Sequence, residues 1–339
     1  MILCMENLSI SFYKNNGYTP VVRHLNMEIF AGEMLGVVGE SGSGKSLTNL
    51  ALMGLLPHSA SMDASKLEFK NRNLLSFTHK DWQSFRGNEI TMIFQNAKRA
   101  MNPAMKIKHQ LTECIKKNKP GLSRDNRQSI ANQLLEQVGL CATKINLEGY
   151  PHELSGGTAQ RFMIAMALAS NPSLLIADEI TAGLDNLHKK QILELLDEIR
   201  REKNMAVLIV SHDIHLIQAY TQRMHVMYSG ELMESGLTQD MMKTPKHPYT
   251  KGLIDCMPKV LPLSRVPAVQ PASFLGQKTT KQHLNTIEGL MLPITEKTQG
   301  CRFYNRCPTA FSSCLAKPVM KKRRSLNDRF VNCHLWDQS

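Results

Sequence analysis

The stretch Gly39–Ser46, GESGSGKS, constrains this chain more than any other, because it directly follows the apolar run Met34–Val38. In the pattern G-x-x-x-x-G-K-S, the glycines let backbone N–H groups converge on a phosphate chain, and the helix that follows adds its positive N-terminus. Lys45 is expected to reach the β- and γ-phosphates, and the Ser46 hydroxyl to bind Mg²⁺. We call Gly39–Ser46 the phosphate loop. Its predicted nucleotide-binding residues are Gly39, Glu40, Ser41, Gly42, Ser43, Gly44, Lys45 and Ser46.

Two further apolar runs predict strands that are buried on both faces. They are Leu174–Ala177 (LLIA) and Met205–Val210 (MAVLIV). Continuous aliphatic runs of this length are typical of a parallel sheet covered by helices. Polar residues follow each run, Asp178 in one case and Ser211-His212 in the other. Ligands of open α/β sheets bind at the carboxyl edge, so we expect these side chains near the nucleotide.

The adjacent acids Asp178 and Glu179 follow the second predicted strand. By themselves they could be a solvated turn. Beside a phosphate loop they suit two tasks: Asp178 orients Mg²⁺ through a water, and Glu179 polarises the water that attacks the γ-phosphorus. The pair therefore predicts nucleotide hydrolysis as well as binding.

A second glycine turn occurs in Leu154–Arg161, LSGGTAQR, before a helical segment. Ser155, Gly156 and Gly157 offer a hydroxyl, exposed N–H groups and a helix dipole, which together suit an anion. A chain with one phosphate loop needs no second cradle for its own nucleotide. We therefore expect this turn to serve the ATP of another subunit. The simpler alternative is a glycine-capped surface helix.

Composition indicates where in the cell the chain is found and what kind of neighbour it has. No stretch approaches the ~18 uninterrupted apolar residues of a membrane span, and the start, MILCMENLSISF, lacks the pattern of a secretory signal. We therefore expect a soluble cytoplasmic protein. The net charge of +12 favours an anionic neighbour, either nucleic acid or the inner leaflet of a membrane, although a solvated basic surface explains it equally well.

The character of the sequence changes twice along the chain. Residues 104–150 are polar and helix-prone, and Ile130, Leu134 and Val138 recur there at helical spacing. This predicts a helical subdomain, about residues 96–153, inserted into a nucleotide-binding domain of residues 1–242. Beyond about residue 240 prolines become frequent and periodicity fades. We therefore predict a second domain of residues 243–339.

In motif order, residues 1 to about 240 resemble the ATP-binding-cassette (ABC) ATPases. Under this resemblance Phe12, with Tyr13 as the alternative, is the aromatic residue that stacks on adenine. Gln95 in MIFQ is the glutamine that touches Mg²⁺ and signals to a membrane partner. Asp185 in Leu184-Asp185 belongs to the D-loop, and His212 in VSHD is the switch histidine that contacts the γ-phosphate.

The resemblance implies an α/β fold: an ABC-type P-loop NTPase with a RecA-like parallel-sheet core, an inserted helical subdomain and a small Cys-rich C-terminal domain. The implied catalytic residues are Lys45, Gln95, Glu179 and His212. The implied Mg²⁺ ligands are Ser46, Gln95 and Asp178. The residues implied to contact nucleotide outside the phosphate loop are Phe12, Gln95, Ser155, Gly156, Gly157, Asp178 and Asp185.

The chain departs from the family pattern in three places. Ile180 follows the glutamate where proline is usual, residues 96–103 (NAKRAMNP) differ from the common DPMTSLNP, and Thr158-Ala159 follow the double glycine. None of these changes removes a catalytic atom. They bear on the turnover rate and on coupling to the membrane partner.

The end of the chain narrows the resemblance to one branch of this family. Pro248-Tyr249-Thr250, in TPKHPYTKGLIDCMP, resembles the segment that follows the cassette in ATPases of dipeptide, oligopeptide and nickel importers.

Eight cysteines in a chain expected in the cytosol argue against disulfides. Four of them, in GCRFYNRCPTAFSSC and NCHLW, suit either tetrahedral zinc or an iron–sulfur cluster, and their spacing does not choose between the two. The resemblance favours a [4Fe-4S] cluster, with zinc or uncomplexed thiols as alternatives. The proposed ligands are Cys301, Cys307, Cys314 and Cys333.

The expected function is that of the ATP-hydrolysing motor of an importer for short peptides, on the cytoplasmic face of the inner membrane. The implied partners are a second ABC ATPase, in a heterodimer or else a homodimer, two transmembrane permeases and an extracytoplasmic solute-binding protein. Nickel or antimicrobial-peptide transport is the alternative within this class. ABC ATPases that act on nucleic acid or ribosomes usually carry two cassettes or a long insertion. With one cassette here, no nucleic-acid partner is expected.

Overall fold

The computed structural model describes residues 1–14, 17–141, 146–257, 286–292, 300–315 and 329–336. Within these residues the chain forms two β-sheets flanked by helices. The strands are β1 (Leu3–Lys14), β2 (Gly17–Ile29), β3 (Met34–Val38), β4 (Ala60–Asp63), β5 (Lys66–Phe69), β6 (Arg72–Asn73), β7 (Ile90–Ile93), β8 (Leu174–Asp178), β9 (Ala206–Ser211), β10 (Arg223–Tyr228), β11 (Glu231–Leu237) and β12 (Phe330–Val331). The helices are α1 (Lys45–Leu52), α2 (His79–Phe85), α3 (Ala97–Ala100), α4 (Ile107–Asn118), α5 (Arg124–Gln137), α6 (Gly156–Leu168), α7 (Asn186–Lys203), α8 (Ile214–Tyr220), α9 (Thr238–Lys243) and α10 (Pro248–Asp255).

The larger sheet has seven strands in the order β12-β11-β10-β3-β9-β8-β7. Strands β10, β3, β9, β8 and β7 run parallel, whereas β11 is antiparallel to both of its neighbours, β10 and β12. Every residue of β3, β8 and β9 is buried, as expected for strands covered on both faces. The three strands predicted from apolar runs are confirmed, with bounds that shift by at most one residue.

The two faces of this sheet enter different cores. Val38, Ala177 and Ile209 belong to a cluster shared with the helices. Their neighbours Val37 and Ile176 instead pack on a five-stranded antiparallel sheet, in which β1 pairs with β2, β4 and β5. The apolar runs did not predict this second sheet as a whole, because strands such as β1 (LCMENLSISFYK) mix polar with apolar residues.

Helices occupy the polar segment between β7 and β8, as its sequence predicts. Ser123 begins α5 by accepting a hydrogen bond from the N–H of Asn126, at 3.2 Å. Helices α4 and α5 bury Leu111 and Leu135 in the same cluster as Phe162 of α6. Their apolar sides therefore fix the position of α6, the helix that follows the second glycine turn.

The residues after 242 contribute to the same core and sheet as those before it. Strand β12 pairs with β11, and Tyr249 and Phe303 join the buried cluster on the helical side of the sheet. The fully buried carboxylate of Glu234, on β11, accepts N–H groups from Lys246, His247 and Arg329. The domain boundary at residue 242 stays a prediction, and α9 runs across it.

None of the helices in the described ranges has both the length and the apolar character that crossing a membrane requires.

Candidate ATP site

The phosphate loop follows β3 and leads into α1. Gly42 and Gly44 adopt left-handed backbone angles, φ +80° and φ +97°, which favour glycine. The Lys45 ammonium lies inside the loop and donates to the carbonyls of Gly39 and Glu40, at 2.8 and 2.9 Å, and to Ser43 Oγ at 3.2 Å. The sequence-predicted cradle is therefore assembled around a buried cation.

The turn between β10 and β11 supports this loop from beneath. The Gly230 N–H donates to the Ser43 carbonyl at 3.1 Å. Gly230 has φ +85°, and a Cβ there would stand 1.9 Å from the Val21 carbonyl oxygen. Only glycine allows such an approach, so the turn and the loop are fitted to each other. No motif in the sequence identified this support.

Side chains from three strand ends meet beside Lys45. The Gln95 Nε2 donates to Glu179 Oε2 at 2.8 Å, and His212 Nδ1 lies 3.8 Å from Glu179 Oε1. Burial lowers the pKa of Lys45, and the charges of Glu179 and Asp178 partly offset this effect. Glu179 itself has φ +48°, an uncommon angle for a residue with a side chain. The structure thus brings together the four residues assigned to catalysis.

Asp178 has one carboxylate oxygen without a partner. Oδ1 is buried and accepts no hydrogen bond from the described residues. Burial raises the pKa of Asp178, and the nearby Ser46 hydroxyl lowers it in part. A buried anionic oxygen left unpaired is costly, and a hydrated Mg²⁺ would satisfy it. The donor set of Asp178, Ser46 and Gln95 therefore fits the predicted metal.

The second glycine turn and the D-loop lie on the surface and close to each other. Ser155 begins α6 and accepts the Thr158 N–H at 3.2 Å. Asp185 begins α7 and accepts from the N–H and Nδ1 of His188, at 3.0 and 2.6 Å. A Cβ at Gly157 would lie 3.3 Å from that histidine ring. Sequence reasoning missed His188, because nothing in the motifs indicated that a helix residue would connect the two turns.

The aromatic residues expected at adenine lie at the end of β1. Phe12 is half-buried. Tyr13 is 57% exposed and packs edge-to-face on Tyr18, with ring centroids 5.4 Å apart. Stacking of Phe12 on adenine, with Tyr13 as the alternative, stays a prediction.

The four clustered cysteines line one cavity beside His247 and Phe303. The structure has no disulfide among the eight cysteines. The Cys301 N–H donates to the Cys314 carbonyl at 2.9 Å, which joins two of the cysteine-bearing turns. Burial is the main cause that raises the pKa of Cys301 to about 12, with smaller contributions in the same direction from Cys333 and Cys314. No three His, Cys, Asp or Glu side chains in the described ranges are close enough together to bind a single metal ion.

The fold and this site define an ATPase of the ABC class. The family model for the ABC transporter matches residues 22–182. The fold also matches solved structures: a dimeric, post-hydrolysis state of the ATP-binding cassette MJ0796 bound to ADP and Pi gives a TM-score of 0.62, at 24% identity over 70% of this chain and 98% of that chain. The structure of cbiO1 from Clostridium perfringens, part of an ABC transporter complex, gives 0.61 at 25% identity over 71% of this chain and 90% of that chain.

Named relatives show to which branch of the ABC class the chain belongs. The oligopeptide/dipeptide transporter C-terminal region matches residues 233–275 and 272–314. The dipeptide transport ATP-binding protein DppD of Haemophilus influenzae is 34% identical over 98% of this chain and 95% of its own length. The oligopeptide transport ATP-binding protein AppD of Bacillus subtilis is 36% identical over 99% of this chain and 97% of its own length. The chain belongs to this family of dipeptide and oligopeptide transport ATP-binding proteins.

Proposed function

We propose that this chain is the ATP-hydrolysing motor of an importer that takes up short peptides, with dipeptides as the first class to test. One observation carries the proposal: a chain with the C-terminal region of peptide transporters also assembles Lys45, Gln95, Glu179 and His212 at one sheet edge. Full-length relatives named for dipeptide and oligopeptide transport support the choice of cargo.

Each side chain has a task in hydrolysis. Lys45 exchanges the loop carbonyls that it now contacts for phosphate oxygens. Ser46, Asp178 and Gln95 hold Mg²⁺, which when bound neutralises charge on the phosphates. Glu179 accepts the proton of the attacking water, and its contacts with Gln95 and His212 orient the carboxylate.

A second subunit completes the site. The exposed turn Ser155–Gly157 presents a serine hydroxyl and the N-terminus of α6, and Asp185 lies nearby on the same surface. These groups face the nucleotide of a second ABC ATPase, in a heterodimer or a homodimer. ATP then joins the two subunits, and hydrolysis separates them.

The dimer drives two permeases at the cytoplasmic face of the inner membrane, and an extracytoplasmic binding protein delivers the peptide. Helices α3 to α5 form the inserted subdomain of about residues 96–153, beside Gln95. In this proposal Gln95 senses the nucleotide beside the surface that meets the permeases. No nucleic acid takes part.

The four cysteines hold a [4Fe-4S] cluster that orders the C-terminal segment. They line one cavity, and a bound cation would offset the burial that keeps the Cys301 thiol protonated. Zinc bound by the same four thiolates is the alternative, and the metal content of the purified protein distinguishes the two.

Uptake by cells tests the transport function. A strain that lacks this chain is complemented with the wild type or with Glu179→Gln, and entry of a labelled dipeptide and of labelled Ni²⁺ is measured. The wild type should restore dipeptide uptake and the variant should not, although it still binds ATP. Restored Ni²⁺ entry without dipeptide entry would contradict peptide import.

A further inference from the structure

The segment Cys301–Cys307, CRFYNRC, contacts the phosphate loop directly. The Arg306 Nη1 donates to both carboxylate oxygens of Glu40, at 3.0 and 2.9 Å. Arg306 Nε and Nη2 donate to the carbonyls of Glu288 and Ile287, at 3.0 and 3.1 Å. The Arg306 side chain is only 7% exposed, so this guanidinium is fixed by its partners rather than moving on the surface.

Two further contacts reach the same loop from the C-terminal side. The Glu40 N–H donates to the hydroxyl of Tyr249, at 3.0 Å, and the Tyr249 ring packs on Phe303 with centroids 5.3 Å apart. A Cβ at Gly42 would stand 3.3 Å from the Met291 methyl group. The backbone and the side chain of Glu40 are thus both held by residues that follow the cassette.

The other arginine of the segment reaches the support beneath the loop. Arg302 is buried and donates from Nη1 to Ser229 Oγ at 2.8 Å. Ser229 precedes Gly230, whose N–H donates to the Ser43 carbonyl. The segment therefore contacts the phosphate loop from its side and, through this turn, from beneath.

Glu40 places a carboxylate in a loop built to bind a polyanion. Its charge acts on Lys45, the cation that serves the phosphates. The salt bridge from Arg306, in which Nη1 donates to both carboxylate oxygens, neutralises this carboxylate and points it toward the segment Cys301–Cys307. Without the arginine, Glu40 would compete for Lys45 and repel the phosphates at short range.

We infer that Arg306 is a positioning residue of the ATP site, which neutralises Glu40 and keeps its carboxylate away from the phosphates. The segment Cys301–Cys307 thereby contributes to nucleotide binding at the phosphate loop. The inference rests on the proposed function, because it concerns the same nucleotide site. A salt bridge that only tethers the tail would instead affect stability and leave nucleotide affinity unchanged.

The test measures equilibrium binding of a fluorescent ATP analogue, trinitrophenyl-ATP with Mg²⁺, to the full-length chain. The variants are Arg306→Gln, Glu40→Gln and the double variant. We expect Arg306→Gln to weaken binding about tenfold, which corresponds to about 1.4 kcal/mol. The double variant should bind more tightly than Arg306→Gln alone, because the unpaired carboxylate is gone.

Arg223→Gln is the matched control. Arg223 pairs with Glu33 at 3.1 Å and its side chain is also 7% exposed, but the pair lies at the opposite end of β3 and β10. This variant should lower the melting temperature without changing affinity. Wild-type affinity in Arg306→Gln, or a double variant as weak as the single one, would overturn the inference. A wild type that binds no ATP analogue would overturn the proposed function and the inference with it.

Discussion

Two residues at the end of β8 carry free-energy costs that a bound nucleotide with Mg²⁺ would offset. Asp178 keeps a buried oxygen that has no hydrogen-bond partner among the residues the structure describes, and Glu179 holds a left-handed backbone angle. Each feature costs free energy in the protein by itself. Side chains that work on charged ligands are often kept in such unfavourable settings, because the ligand offsets the cost when it binds.

Asp178→Asn should therefore stabilise the nucleotide-free chain. Burial raises the pKa of Asp178, so at neutral pH its ionised form costs free energy in the fold, and this cost disappears as the pH falls through the raised pKa. We expect the variant to gain about 1 kcal/mol at neutral pH and to lose Mg²⁺-dependent ATP hydrolysis. Melting curves from neutral to acidic pH provide the check, since the gain should shrink as the wild-type carboxyl becomes protonated. A lower melting temperature at neutral pH would contradict the assignment.

At the scale of elements, turns rather than helices or strands determine the site. The phosphate loop rests on the turn between β10 and β11, and the second glycine turn presents the start of α6. Glycine serves a different purpose in each. In the turn between β10 and β11, Gly230 permits close contact with the backbone of Val21. In the second glycine turn, Gly156 leaves open space on the surface.

Gly230→Ala should damage the support of the phosphate loop. The added Cβ would stand 1.9 Å from the Val21 carbonyl, at a backbone angle that alanine disfavours. We expect a loss of about 2 kcal/mol or more in the free energy of unfolding, measured by urea denaturation. Gly121→Ala is the control, because nothing lies within 4 Å of a Cβ there. Equal stability of the two variants would show that the turn can move away.

Gly156→Asp should separate folding from assembly. Nothing lies within 4 Å of a Cβ at Gly156, and an acidic residue in the first turn of α6 favours the helix. The melting temperature should stay the same or rise slightly. ATP hydrolysis and ATP-dependent dimerisation should be lost, since the new charge would face the phosphates of the other subunit. Light scattering of the variant with Mg-ATP tests this, and a dimer that forms normally would remove the turn from the interface.

At the scale of the whole molecule, the C-terminal segment is built into the ATPase. Strand β12 extends the central sheet, Phe303 lies in the main core, and Arg306 reaches the phosphate loop. The cysteine cavity lies between the aromatic side chains of this segment and α10. A change in the cavity therefore has a short structural route to the nucleotide.

Metal analysis tests what the cavity holds. Protein purified without oxygen should contain iron and acid-labile sulfide, and Cys301→Ser should lose both. Cys141→Ser is the control, because Cys141 is exposed and does not line the cavity. If the wild type contained one zinc ion per chain and no iron, the cavity would be assigned as a structural zinc site instead of a cluster site.

The sequence determined the parts of this protein that local chemistry encodes. The phosphate loop, the strands Met34–Val38 and Leu174–Asp178 and the acids at the strand end follow from glycine spacing and continuous apolar runs. Tertiary structure decided what those parts touch. The contact of Glu40 with Arg306 spans most of the chain, and the support from Gly230 depends on a turn with no motif of its own. Such contacts form only after the sheet has set which strand ends are neighbours, so no local pattern can record them.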